Sequence, residues 1–554
     1  MDMPDTMIAR TATAASAGFG AKPTLRVGLV AYNWEADTSL ALWNLVTYAR
    51  RTPAIADRVT FIEHCAATPK SLMDEEAQLF FLLKWQETHN FDVVGFSCYI
   101  WNIKFVLRAA KAIKELWPQT VVIFGGQQIR GSYVPFVFDR ERCADICVCN
   151  EAEVTFRDLL NSFLDGSPKL STVGGIAYMA PDGNTDDFLI FDGSGRVPAG
   201  TAYHETAEAA LIEDINDIPS PYLGGIELPH GGAFLYEASR GCPYRCFYCH
   251  IAPETATHQR SPASVVAEMR RRRDELGVEA FHFIDDIFNF PRPHAKAVLR
   301  EIAKELPGVR LHFPIGLRAD LLDDEILDLF EAAGTVMMAL AVETVTPRLQ
   351  RFIGKYLKIE RAHAMIDAAS RRFVATTFFM AGFPTETREE AQATIDYAAS
   401  LEHLCDPTLN IVRIYRGTLL WDHLAPTPDQ AAQLTAQTRH ATTPRMFTGQ
   451  PFLFYGDVFD REKVPLTSED IAELRVDWLR KVQFNPRRIL NAHARMRHFF
   501  PEAEVVRTFR SWLNDNRFDA TKMQRMIDFA RTAPPTEVVP PPFARQTAPV
   551  KLSA

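Results

Sequence analysis

The sequence predicts an α/β protein built from two successive runs of alternating strand and helix, followed by a helical region. Three observations predict it. Short apolar runs separated by helical patterns recur five times between residues 25 and 150, and six times more from Ala233 onward. After Thr467-Ser468-Glu469-Asp470, a helix start, apolar residues return at helical spacing at Ile471, Leu474, Trp478, Leu479 and Val482. A chain of 554 residues, 47% hydrophobic and 23% charged, has material for about three or four globular domains.

In the first run the strands are read at Leu25 to Ala31, Val59 to Ile62, Asp92 to Cys98, Thr120 to Gly125 and Ala144 to Cys149. This spacing reads as a doubly wound parallel sheet, whose ligands bind at the carboxyl ends of the strands. The residues just past those ends are therefore the binding candidates: Asn33, then Ser97, Tyr99, Trp101 and Asn102, then Gly125, Gly126 and Gln127, then Glu151 and Glu153. The two glycines let backbone approach a large ligand closely. The residues alone describe a generic nucleotide or cofactor cradle; an ordinary Rossmann-like domain, with Tyr99 and Trp101 as core or rim aromatics, accounts for them too. Cys143, Cys147 and Cys149 make a C-x3-C-x-C run. Strand alternation puts Cys147 and Cys149 on one buried face, where thiols fill a core.

Residues 169 to 232 carry Gly-rich turns and short strands, with a turn at Pro181-Asp182-Gly183-Asn184. Pro219 and Pro221 make the end of this linker a fixed spacer.

The second run opens on Arg240-Gly241-Cys242-Pro243-Tyr244-Arg245-Cys246-Phe247-Tyr248-Cys249. A four-iron, four-sulfur cluster usually takes four thiolates. Cys242, Cys246 and Cys249, with no fourth cysteine nearby, would leave one iron open to a substrate or cofactor. The alternatives are a zinc knuckle or three unrelated thiols; zinc normally needs a fourth protein ligand and paired C-x2-C spacings, and only His250 is at hand. The strands of this run are read at Ala233 to Ser239, just before the cysteines, then Ala280 to Asp285, Arg310 to Ile315, Val336 to Val342, Thr376 to Ala381 and Asn410 to Tyr415. Asp285 and Asp286 end the second, Arg318 follows the third, Glu343 ends the fourth and Gly382-Phe383-Pro384 ends the fifth. Glu268 and Arg270 to Arg273 read as a solvated helix face.

The cysteine run resembles the signature of the radical S-adenosylmethionine superfamily. The segments GFSCYIWN, VVIFGG and NEAE together resemble the cobalamin-binding domain that precedes many barrels of that superfamily, in the class B type of radical methyltransferase. The resemblance covers roughly residues 24 to 425. It implies a Rossmann-like cobalamin-binding domain over 24–168, the linker over 169–232 and a partial (β/α)6 radical S-adenosylmethionine barrel over 233–425. A helical C-terminal region over 426–533 would follow, with disordered tails at 1–23 and 534–554. Cys242, Cys246 and Cys249 would be the metal ligands. Tyr248 would lie against adenine, Asp285 and Asp286 would meet the methionyl ammonium and Arg318 the carboxylate. Glu343 would face the ribose, and Gly382 and Pro384 the adenine. Two departures matter: Asn150 and Ala152 replace the glycines of the family's Gly-Glu-Gly-Glu turn, and no histidine lies between Asn33 and Arg50, so the loop after the first strand lacks Asp-x-His-x-x-Gly.

The cofactors implied are the cluster, S-adenosylmethionine and cobalamin. The activity implied is methylation of an unactivated carbon of a small-molecule or natural-product substrate, through a 5'-deoxyadenosyl radical and methylcobalamin. The alternative is a non-methylating rearrangement, cyclisation or ring contraction with the same parts. An electron donor such as flavodoxin or ferredoxin is the implied partner. No catalytic side chain is identifiable. The net charge of -9 argues against capture of nucleic acid. No apolar run reaches the roughly 18 residues that span a bilayer, the start of the chain has no hydrophobic signal core, and nine cysteines show no pattern of pairs, all of which read as cytoplasmic. The helical region is expected to cover the barrel mouth. The basic group Arg487, Arg488, His493, Arg495, Arg497 and His498 is a candidate anion site or a solvent-facing surface.

Overall fold

The computed structural model describes residues 20–34, 39–68, 74–220, 234–249, 257–439, 454–513 and 517–533. The tails expected to be disordered lie, at 1–19 and 534–554, outside the described residues, as do residues 35–38, the end of the spacer from Pro221, and His250. Two compact units divide near residue 213, one holding residues 1–212 with 218–226 and the other 213–217 with 227–554.

The first unit is a sheet of β1 (Leu25–Trp34), β2 (Val59–Thr68), β3 (Val93–Ser97), β4 (Val121–Gly125), β5 (Ile146–Val148), β6 (Ile176–Pro181) and β7 (Thr201–Glu205). Its order is β2-β1-β3-β4-β5-β6-β7. The first five strands run parallel and the last two antiparallel. β3 is buried along its whole length because helices cover both faces of a parallel sheet. Leu82, Phe105 and Val106 belong to the apolar cluster on one face, and Leu42, Val46, Phe156 and Leu159 to that on the other. The hairpin β6–β7 comes from the expected linker and joins this sheet, where it pairs the side of β5 that would otherwise be an open edge. Lys114 and Asp145 form a fully buried ion pair at 3.0 Å, and Asp145 also accepts the Val122 and Phe191 amides at 2.7 Å. Those extra partners are what a buried charge pair needs to offset its desolvation.

The second unit contains β8 (Phe234–Tyr236), β9 (Ser239–Arg240), β10 (His258–Gln259), β11 (Ala280–Phe283), β12 (Arg310–Leu317), β13 (Thr335–Glu343), β14 (Val374–Ala381) and β15 (Asp406–Ile411). Strands β9 and β10 pair antiparallel. The other six form a parallel sheet ordered β15-β14-β13-β12-β11-β8, an open barrel whose edges are β8 and β15. Phe281 and Phe283 of β11, with Leu311 and Phe313 of β12, pack into the core under the helices. By strand alternation His282 and His312 take the opposite face, where their rings stack at 4.5 Å and 17°.

The sixth strand begins earlier than Asn410. It runs Asp406–Ile411, with Pro407 opposite Thr377. Asp-Pro reads as loop, but β15 is an edge strand, where a residue without an amide donor is tolerated. The face over Arg270 to Arg273 is also not wholly solvated: Arg272 is buried, pairs with Glu268 and lies under the Phe234 and Tyr236 rings.

The C-terminal region divides between the two ends of the barrel. Phe454, Tyr455, Val464, Ile471 and Trp478 join the barrel core, and the Thr385 amide beyond β14 donates to Lys463 at 2.9 Å. The helices Pro486–Phe499, Glu502–Leu513 and Ala520–Thr532 instead pack on Val336, Val374 and Cys405, at the amino-terminal starts of β13, β14 and β15. This half lies opposite the mouth that it was expected to cover. The basic group serves the fold. Arg488 is buried and donates to the Ala398 and Val482 carbonyls, Arg495 donates to the Arg371 and Arg372 carbonyls, and Arg487 and Arg497 pair with Glu402 and Glu502.

Candidate active site

In the barrel, all strands are parallel, so Asp285, Arg318, Glu343 and Gly382 are brought to one end, beside the loop that follows β9. The cysteine loop is tied down along its length. The Ser239 hydroxyl donates to Asp285 at 2.6 Å and the Ala238 amide to the same carboxylate at 3.3 Å. The Gly241 amide donates to Asp286 at 3.0 Å, and Gly241 has a φ of 80, a left-handed conformation open to glycine. The Phe247 amide donates to Ile353 at 2.9 Å. The Phe247 ring meets Phe352 and His423 edge-on.

Both aspartates expected at the methionyl ammonium therefore brace the cysteine loop. Burial raises Asp285 to about 7, against the Ser239 hydrogen bond that lowers it. Arg318, expected at the carboxylate, donates to Asp320 at 2.8 Å and stacks on Tyr244 at 4.0 Å. Glu343 has a φ of 71 and takes the Lys355 ammonium at 3.0 Å. Tyr248 packs edge-on to Phe383 at 5.6 Å; burial and the Glu343 carboxylate push its phenol well above the usual range. Gly382 has a φ of 93, and a Cβ there would stand 2.7 Å from the Phe454 ring, so its neighbours alone demand glycine. Pro384 follows it in the same turn.

Sequence reasoning missed the residues that hold this turn. Buried Glu386 accepts the Gly382 and Phe383 amides at 2.5 and 2.9 Å, and burial raises it to about 8. Tyr455 reaches the Gly382 carbonyl from 73 residues away. Lys355 sits in a Gly-Lys-Tyr turn with no motif to announce it.

In the first unit, the candidates lie at the carboxyl ends of β1, β3, β4 and β5. Asn33 follows Tyr32 near the end of β1. The Tyr32 carbonyl accepts from Trp101 at 2.8 Å and from Asn102 at 3.1 Å; Asn102 also donates to Ser97 at 2.9 Å and accepts the Tyr99 amide at 2.8 Å. Asn102 is thus an internal brace. The Tyr99 and Trp101 rings stack at 4.4 Å and 6°. Gly126 has a φ of 99, and a Cβ there would meet Cys98 at 2.8 Å, so the fold itself requires glycine. Gly125 is different: a Cβ there would meet Val148 at 3.8 Å, an ordinary contact, so the fold itself does not require glycine. Gln127 is exposed just beyond. Asn150 has a φ of 63, the left-handed conformation that asparagine tolerates in place of glycine, whereas Ala152 is right-handed at -112, before the helix Glu153–Asp165. The two departures from the glycine turn are thus compatible with one backbone path through Glu151 and buried Glu153. Cys143 and Cys147 are fully buried and Cys149 partly so; burial raises Cys149 to about 12 and the other two further, as core thiols.

Residues 236–398 match the Radical SAM superfamily and residues 82–160 match the B12 binding domain. An uncharacterized methyltransferase of Pyrococcus horikoshii is 25% identical over 344 residues, 60% of this chain and 69% of that protein. A cytidylyl-2-hydroxyethylphosphonate methyltransferase of Streptomyces wedmorensis is 30% identical over 349 residues, 55% of this chain and 62% of that protein, so the match falls short of two thirds of its length. The radical S-adenosylmethionine methyltransferase TsrM of Kitasatospora setae, solved with cobalamin and a four-iron, four-sulfur cluster, shares the fold. It aligns with a TM-score of 0.58 and 16% identity over 92% of this chain and 99% of its own.

The cofactors that go with these domains are a four-iron, four-sulfur cluster, S-adenosylmethionine and cobalamin. The residues present fit them. Among the described residues no three histidine, cysteine or acidic groups form a site for one metal ion, but a cluster gives each thiolate its own iron. Burial raises the Cys242 thiol to about 11 and raises Cys246 as well, and a coordinating metal cation deprotonates such thiols. The strand end at half-buried Gly125 and exposed Gly126 and Gln127 is accessible to a large ligand. No helix among the described residues is long and apolar enough to cross a membrane. The chain thus carries a radical S-adenosylmethionine domain following a B12-binding domain, the arrangement of the cobalamin-dependent branch of the radical S-adenosylmethionine superfamily.

Proposed function

We propose that this enzyme transfers a methyl group to an unactivated carbon of a small-molecule substrate. The observation that carries the reading is the three-thiol loop, braced at the carboxyl end of a six-stranded barrel, in a chain that also holds a B12-binding domain and aligns with methyltransferases. When bound, the cluster and S-adenosylmethionine supply one-electron chemistry at a C–H bond, and cobalamin supplies the methyl group. Cys242, Cys246 and Cys249 hold the cluster. Asp285 and Asp286 fix the loop, and Tyr248, Arg318, Glu343 and the Gly382 to Pro384 turn line the S-adenosylmethionine side. The ends of β1, β3, β4 and β5 hold cobalamin. An external one-electron donor of the flavodoxin or ferredoxin type supplies the reducing equivalent.

The test is anaerobic reconstitution with iron, sulfide, cobalamin and S-adenosylmethionine under reducing conditions. Methyl transfer requires S-adenosylhomocysteine to form in proportion to bound cobalamin, alongside 5'-deoxyadenosine. Production of 5'-deoxyadenosine with no S-adenosylhomocysteine would favour a rearrangement or ring contraction instead.

A further inference from the structure

The helix Pro486–Phe499 meets the start of β15 around a cavity of about 30 Å³. Buried Cys405 and Arg488, with Asp406, form its floor; Phe484, 42% exposed, and half-buried Trp512 and Met526 form its rim. It lies among the helices packed on the amino-terminal starts of β13, β14 and β15, at the end of the barrel away from the cysteine loop.

Arg488 is 2% exposed, and burial lowers its guanidinium to about 10, which leaves it charged at neutral pH. Its Nε donates to the Val482 carbonyl at 2.9 Å and its Nη2 to the Ala398 carbonyl at 2.8 Å. Nη1 is buried with no hydrogen-bond partner among the described residues. An arginine is almost never fully buried unless it is paired, and both groups that hold this one are uncharged. The Asp406 carboxyl lines the same cavity but forms no ion pair with it among the described residues. Burial, opposed by the Arg488 charge, raises Asp406 to about 7, so near neutral pH it is as often the uncharged acid as the carboxylate. The cavity therefore has a net positive floor under an apolar rim, with one donor nitrogen to offer.

We propose that this cavity is a further ligand site, for a small organic carboxylate with an aromatic or apolar body, held by Arg488 Nη1 at the floor and by Phe484, Trp512 and Met526 at the rim. A cavity of this size takes a head group of about two or three atoms. A carboxylate that accepts from a guanidinium makes a charge-assisted hydrogen bond, stronger than the bonds Arg488 already makes to carbonyls. The body of the ligand lies over the Trp512 ring, where it removes apolar surface from water on both sides. Bound there, it ties the helices Pro486–Phe499, Glu502–Leu513 and Ala520–Thr532 to the edge strand β15. The site is separate from the cysteines and does not depend on the proposed methyl transfer.

The test is fluorine nuclear magnetic resonance of para-fluorophenylacetate titrated with the full chain, beside its uncharged counterpart para-fluorophenylacetamide. The acid is expected to bind saturably and at least several-fold more tightly than the amide. Arg488→Met should bring the acid down to the level of the amide, and Trp512→Ala should weaken both. Asp406→Asn, which removes the competing negative charge, should tighten the acid several-fold and leave the amide nearly unchanged. A purely structural role for Arg488 predicts no such split, and the Asp406→Asn variant decides the matter if Arg488→Met fails to fold. Equal binding of acid and amide by the wild type, no saturable binding of the acid, or an Asp406→Asn variant that binds the acid no more tightly than the wild type would overturn the proposal.

Discussion

Tyr455 donates its hydroxyl to the carbonyl of Gly382 at 2.6 Å, in the core, across 73 residues of sequence. Glu386 takes the amide of the same glycine, so the turn after β14 is held from both sides. Removing the hydroxyl in Tyr455→Phe leaves a buried carbonyl unpaired, at a cost of about 1–3 kcal/mol. The expected outcome is a lower melting temperature together with weaker S-adenosylmethionine binding in equilibrium dialysis. Unchanged affinity would mean that the turn does not line that ligand.

Gly125 and Gly126 separate ligand from fold. Gly125→Ala adds a Cβ in ordinary contact with Val148 at 3.8 Å and should leave the melting temperature of the cofactor-free protein unchanged while lowering cobalamin affinity at least several-fold. Gly126→Ala, at φ 99 and 2.8 Å from Cys98, should destabilise the protein before any cofactor is added. Equal cobalamin binding by wild type and Gly125→Ala would remove this site from the reading.

The two sets of cysteines should behave differently. Replacing Cys242, Cys246 and Cys249 with alanine is expected to abolish the iron content and the visible absorbance of the reconstituted protein. Replacing Cys143, Cys147 and Cys149 should lower stability through lost packing but leave iron nearly unchanged. Iron measured per chain decides between them.

His282 and His312 make the barrel acid-sensitive. Burial lowers them to about 4 and about 3, whereas in the unfolded chain each takes up a proton near 6.5. From pH 6.5 down to about 4 the unfolded state therefore binds more protons, and stability falls as pH falls. Replacing both rings with phenylalanine should flatten the melting temperature over that interval. A slope equal to that of the wild type would assign the sensitivity to other groups.

Glu386 works in the opposite direction. Its carboxyl is raised from 4.5 to about 8, so the folded state holds a proton that the unfolded state releases, and stability falls as pH rises between those values. Glu386→Gln should lose less stability than wild type between pH 5 and 8, as read by denaturant unfolding at each pH.

The strands were legible in the sequence wherever a run was apolar on both faces, as in Val93 to Phe96, and the cysteine spacing pointed to its chemistry without help from the fold. Asp406 and Pro407 were not legible as strand, because only their place at the sheet edge permits them. The residues that hold the site were also hidden. Ile353 and Gly354 meet the cysteine loop about a hundred positions away in sequence, and Tyr455 meets Gly382 from a region without a motif. Such contacts depend on tertiary packing, which no local pattern encodes. The left-handed φ of Asn150 shows the reverse: a departure from the glycine pattern that the backbone accommodates.

The helices Pro486–Phe499, Glu502–Leu513 and Ala520–Thr532 close the barrel at the starts of β13, β14 and β15, away from the cysteines. Sequence change can therefore accumulate in the turns at the carboxyl ends of the strands while this floor keeps the barrel folded. A lineage could acquire new substrates through those turns without rebuilding its foundation.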